Sequence, residues 1–126
     1  MSSEKHESAS KVMSMVVQGV TVVHFTDTKI IDQRNINLIA AELMELVEKG
    51  GAKKMLLNLE NVQYLSSAVL GKLISLHKAL RLSGGSLKLC SIAKPIYEVF
   101  EITRLDKVFD IYETEPEAIA AFRQGT

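Results

Sequence analysis

Apolar and polar positions change rhythm once along the chain, near residue 31. Before that point, Val12 to Gln18 and Val20 to Phe25 are two short runs rich in Val, Met and Thr, separated by Gly19. The break is short, and the pattern predicts an antiparallel β-hairpin. Beyond it, Ile36, Ile39, Leu43, Leu46 and Val47 fall at helical spacing, with Asp32 as N-cap and Gly50-Gly51 as the stop of a helix ending near Lys49. Met55-Leu56-Leu57-Asn58-Leu59 is short and mostly apolar, as suits a strand buried on both faces.

The alternation continues. A second helix is expected from Ser66-Ser67 to Leu82, with Val69, Leu73, Leu76 and Leu80 inside and Ser83-Gly84-Gly85 ending it. Ser86 to Ile92 reads as a strand, and Pro95 opens a third helix where its missing N–H costs nothing. Val108 to Tyr112 forms a last strand, and Thr114 caps a closing helix through Phe122 with Pro116 in its first turn. Strand and helix in turn imply parallel strands joined by helical crossovers. The fold class is α/β, with a mixed sheet formed by the N-terminal hairpin and the parallel strands.

The 126 residues suit a single domain, expected over residues 11–126. Residues 1–10, polar and rich in Ser, Glu and Lys, are expected to be a flexible tail. Fifteen basic residues balance fifteen acidic ones, which removes the broad positive field of a non-specific nucleic-acid binder. The single cysteine, Cys90, excludes an intramolecular disulfide and is expected to be a small buried apolar residue. No apolar run reaches the ~20 residues that span a bilayer, and the start lacks a secretory signal, so a cytoplasmic protein without membrane insertion is expected.

Catalytic and metal chemistry find no support. His6, His24 and His77 lie on a tail, a strand and a helix, and none has the partner spacing of a helical metal site. The paired glycines lack the Lys-Ser/Thr or third glycine of phosphate loops. Glu42, Glu45 and Glu48 read as a solvated helix face. No metal, cofactor or catalytic residue is assigned. One segment differs: Tyr64-Leu65-Ser66-Ser67-Ala68-Val69-Leu70-Gly71 joins the carboxyl end of a buried strand to the start of a long helix. Ligands and partners favour that edge of an open α/β sheet, and a helix N-terminus favours a phosphate. A serine there also serves as an N-cap.

At these residues the chain resembles the STAS family, of the anti-sigma factor antagonist type. The family motif, aromatic–apolar–Asp–Ser–Ser/Thr–Gly–Leu–Gly, aligns without a gap on Tyr64, Leu65, Ser67, Leu70 and Gly71. Ser66 takes the Asp position, Ala68 the Ser/Thr position and Val69 that of the first glycine. The similarity runs from about Val12 to Phe122. It implies that Ser67 is the phosphorylated residue, with Ser66 its neighbour, and that Tyr64, Leu65, Ser66, Ser67, Ala68 and Val69 contact a partner. By the same resemblance the partners are an anti-sigma factor with serine-kinase activity and a serine phosphatase. The chain would then be their substrate, no enzyme itself, and would regulate transcription without touching nucleic acid. Ala68 and Val69 keep open an adaptor subunit of a signalling or lipid-transport assembly that works without phosphorylation.

Overall fold

The structure, a computed structural model, describes residues 10–124. The expected tail therefore lies outside the described residues except for Ser10, whose hydroxyl donates to the Val12 carbonyl oxygen over 3.1 Å.

Strands β1 (Val12–Val17) and β2 (Val20–Phe25) pair antiparallel, closing with Val17 opposite Val20. The two turn residues, Gln18 and Gly19, both have positive φ, 52° and 83°. That is the requirement of a type I′ turn, whose twist matches the strands it joins. A two-residue strand β3 (Lys29–Ile30) follows, then helix α1 (Gln33–Glu48) and strand β4 (Lys54–Asn58). Next come β5 (Tyr64–Leu65), α2 (Ser67–Leu82), β6 (Ser86–Cys90) and α3 (Lys94–Ile102). A 3₁₀ turn at Leu105–Lys107 leads into β7 (Asp110–Tyr112) and α4 (Glu115–Gln124).

The main sheet runs β1-β2-β4-β6-β7, parallel everywhere except between β1 and β2. Met55, Leu56 and Leu57 are fully buried because β4 is central and both its faces are covered. Met55 and Leu57 pack beneath α1, α2 and α3, whereas Leu56 joins Ala118, Ile119 and Phe122 of α4 on the opposite face. A continuous apolar run is the pattern such a strand requires.

The caps expected at Asp32 and Thr114 form. The Asp32 carboxylate accepts from the Arg34 N–H over 2.8 Å, and the Thr114 hydroxyl accepts from the Glu117 N–H over 3.3 Å. Each glycine pair divides its work. Gly51 and Gly84 take the left-handed conformation that ends a helix, with φ of 69° and 87°. Gly85 instead lies so close to the Lys53 carbonyl that a Cβ would collide with it, while Ser86 N–H donates to that same oxygen.

Three expectations change. Glu42 is not part of a solvated face: its carboxylate accepts from the backbone N–H groups of Lys11 and Val12, over 2.9 and 3.2 Å, and ties α1 to the start of β1. The last strand is shorter than Val108–Tyr112, because Phe109 turns inward to pack edge-on against Phe100 and His77. The sixth strand stops at Cys90, since Ser91 leaves extended geometry at φ 60°. Cys90 is fully buried, and burial pushes its thiol above its ordinary value.

His77 meets Phe109 edge-to-face with ring centroids 5.4 Å apart, and its Nδ1 is buried without a hydrogen-bond partner. Burial, and secondarily the Arg81 charge, hold its pKa below the ordinary 6.5, with Asp110 pulling weakly the other way. A histidine depressed in the folded state takes up its proton more readily when unfolded, so stability falls as pH drops below about 6.5. Thermal melts between pH 7.5 and 5 should show this loss, and His77→Phe should flatten it. An unchanged pH slope in His77→Phe would assign the loss to other groups.

Candidate functional site

The segment before α2 is held by a device that sequence patterning did not reveal. Strand β5 pairs parallel with β3, Lys29 opposite Tyr64 and Ile30 opposite Leu65, in a separate two-stranded sheet. Gln63 and Tyr64 N–H donate to the Thr28 carbonyl oxygen over 2.7 and 3.1 Å, and Ser66 N–H donates to that of Ile30 over 3.0 Å. The Lys29 ammonium stands 5.5 Å from the Tyr64 ring centroid. Two residues per strand are too short for a periodic signal, so this pairing exists only because the fold brings the β2–α1 and β4–α2 connections side by side.

Ser66 occupies the N-cap position with extended geometry, φ −87° and ψ 164°, but its side chain makes no capping bond. Its Oγ is instead buried without a hydrogen-bond partner. Ser67 is the first helical residue and is exposed, as is Ala68. The first turn of α2 contains no acidic residue. Its leading N–H groups lack intrahelical acceptors, and the helix dipole adds partial positive charge beside the Ser67 hydroxyl.

The expected partner-contacting residues separate by depth. Tyr64 is 57% exposed, and Leu65 and Ser66 are half-buried. Val69 is 5% exposed and packs in the core beneath α2 with Leu70 and Leu73. Its β-branched bulk is directed inward, so it leaves the surface around Ser67 open. Gly71 is exposed, and a Cβ there would meet nothing within 4 Å.

Beside this helix start lies a shallow groove of about 380 Å³ between β5 and α3. Tyr64, Leu65, Ala93, Pro95, Ile96 and Val99 line it, and Val99 is 40% exposed. The sequence reading missed this α3 wall, although Pro95-Ile96 and Val99 sit at helical spacing in its own third helix. At the same carboxyl edge of the strands but on the α4 face, the His24 imidazole approaches the Glu115 carboxylate at 3.3 Å, and the Asn58 amide donates to the same oxygen over 2.8 Å. Asn58 is thereby satisfied in an otherwise apolar interior, and the trio fastens α4 to the sheet.

The fold is thus a mixed α/β sheet, antiparallel only in its leading hairpin, with an exposed serine at the start of its second long helix. The STAS domain model matches residues 11–118, and the chain belongs to that family. It is 31% identical over 81 residues to the anti-sigma-B factor antagonist of Bacillus subtilis, covering 64% of this chain and 72% of that protein. The structure of an anti-sigma-factor antagonist (STAS) domain protein from Planctomyces limnophilus superposes with a TM-score of 0.78 at 24% identity, covering 89% of this chain and 97% of that one. The Bacillus cell fate determinant SpoIIAA, in its phosphorylated form, shares the fold at a TM-score of 0.67 and 20% identity, over 88% and 98% of the two chains. Among the described residues, no helix is long and apolar enough to cross a membrane.

Proposed function

We propose that this protein is an anti-sigma factor antagonist whose docking surface is switched by phosphorylation of Ser67. In its unmodified form it binds an anti-sigma factor with serine-kinase activity and so frees a sigma factor. The kinase ends the interaction by modifying Ser67, and a serine phosphatase restores it. The protein is a substrate in this cycle and works in the cytoplasm, where its partners act.

The observation that carries the proposal is the exposed Ser67 hydroxyl at the first residue of α2, beside an apolar groove and without a competing carboxylate. A phosphoserine adds about 1.5 to 2 negative charges, which a helix N-terminus accommodates. A dry interface closed over the same spot does not accommodate them. Switching therefore needs no rearrangement of the fold. Tyr64 and Ala68 provide the exposed contact, and Leu65 and Ser66 provide its half-buried floor.

Incubation with the cognate kinase and ATP should label wild type and Ser66→Ala equally, and Ser67→Ala not at all. Ser66→Ala is a fair control because the hydroxyl it removes has no hydrogen-bond partner to lose. Labelling of Ser67→Ala would move the modification elsewhere. No labelling of any variant by a partner that binds would favour a constitutive adaptor.

A further inference from the structure

We propose that the β1 edge of the sheet pairs with the β1 edge of a second copy of this chain, giving a weak, symmetric dimer independent of the Ser67 surface. The two edges of the main sheet are treated differently. At one end β7 is three residues long and begins with Asp110. At the other, β1 is six residues long, Val-Met-Ser-Met-Val-Val, with no charge and no proline. Proteins usually guard such an edge with Lys, Pro, a bulge or a cover. Here Met13, Met15 and Val16 are instead 66%, 61% and 71% exposed.

The backbone of β1 offers a defined ladder. In a hairpin with a two-residue turn, the closing pair Val17 and Val20 exchanges hydrogen bonds, so Val17, Met15 and Met13 direct their N–H and C=O groups toward β2. Val12, Ser14 and Val16 direct theirs outward. Glu42 already occupies the Val12 N–H, so among the described residues Ser14 and Val16 are the open rungs. One antiparallel register satisfies all four of their groups with an identical strand: Ser14 opposite Val16 of the second copy, and the reverse, about a two-fold axis at Met15. That register sets Met15 against Met15 and Met13 against Val17 on one face of the joined sheet.

Charge agrees with this occupant. The strand itself is uncharged; the charges at its ends are Glu42, held on the Val12 N–H, and Arg123, held on Gln18 at 2.8 Å, and the register sets Val12 of one copy opposite Gln18 of the other, so unlike charges meet. The exposed apolar surface of the three side chains is on the order of 300–400 Å² per protomer, below the ~800 Å² of a standard interface. The dimer is therefore transient, with a dissociation constant in the micromolar range or weaker.

Sedimentation of the full chain from low micromolar to several hundred micromolar should show mass rising from 13.9 kDa toward twice that value. Amide exchange at Ser14 and Val16 should slow with concentration. Met15→Lys, which opposes two ammonium groups at the axis, and Ser14→Pro, which removes an outward N–H without disturbing β2, should both stay monomeric and keep the wild-type far-UV spectrum. A wild type that remains monomeric throughout overturns the proposal, and so would any other strand seated on that edge. Dimerisation retained in both variants places the contact elsewhere and also overturns it. Loss in Met15→Lys alone would replace strand pairing by face-to-face packing and refute the register. None of these outcomes depends on Ser67 or on an anti-sigma factor.

Discussion

Ser67→Asp is expected to fold as wild type and to lose its anti-sigma partner. The aspartate places one negative charge at the first residue of α2, where the dipole and free N–H groups make it neutral or favourable by about 0.3–1 kcal/mol. Its melting temperature should stay within a few degrees of wild type. In the complex the same carboxylate would be shut beside the apolar groove formed by Tyr64, Pro95, Ile96 and Val99. An uncompensated buried charge costs on the order of 3–5 kcal/mol, which weakens binding more than a hundredfold. Ser67→Ala should bind as well as wild type and resist inactivation by ATP. Calorimetric binding and thermal melting of both variants test this together. Wild-type affinity in Ser67→Asp would refute the switch, and an unfolded Ser67→Asp would make Ser67 a structural residue.

Phe100→Ala should cause the largest loss of stability of any single truncation considered. Phe100 is fully buried and meets Phe109 edge-to-face, with centroids 6.0 Å apart at 69°. Phe109 in turn meets His77 edge-to-face, so one aromatic chain joins α3, the strand lead-in and α2. Removing a buried phenyl group costs about 3–5 kcal/mol, from lost transfer energy and the cavity left behind. That is a large share of the ~5–15 kcal/mol that stabilises a typical domain. Urea unfolding should show a lower midpoint with an unchanged slope. A loss below about 1 kcal/mol would mean that the site collapses to fill the space. Because α3 also forms a wall of the groove, partner binding at temperatures well below the transition should weaken as well.

Much of this architecture was legible in the residues. Each helix announces itself by a 3.6-residue apolar stripe and a local stop or start: Asp32 and Thr114 as caps, Pro95 at an entry, Gly51 and Gly84 at exits. Those signals are local because the groups they satisfy lie within one turn of the chain. The uninterrupted Met55-Leu56-Leu57 reports burial on both faces, and with it a central parallel strand. The motif around Ser67 was likewise readable, since its register rests on consecutive residues.

What tertiary structure alone decided concerns groups distant in sequence. The β3–β5 pair is two residues deep, so no periodicity records it. It arises because Thr28 and Ile30 carbonyls come within reach of Gln63, Tyr64 and Ser66. Glu42 reads as one more solvated acid until the end of β1 presents two N–H groups to it across thirty residues. Ser66 has the composition of a cap, yet its hydroxyl makes no capping bond and is buried. Val69 belongs to the motif by position and to the core by orientation. The sequence by itself determined which segments become helices and strands and where a serine opens the second long helix, because those follow from short-range sterics and burial periodicity. Which motif residues face a partner, and which carbonyl or carboxylate completes each distant hydrogen bond, depended on packing, because side-chain direction is fixed only when the elements meet.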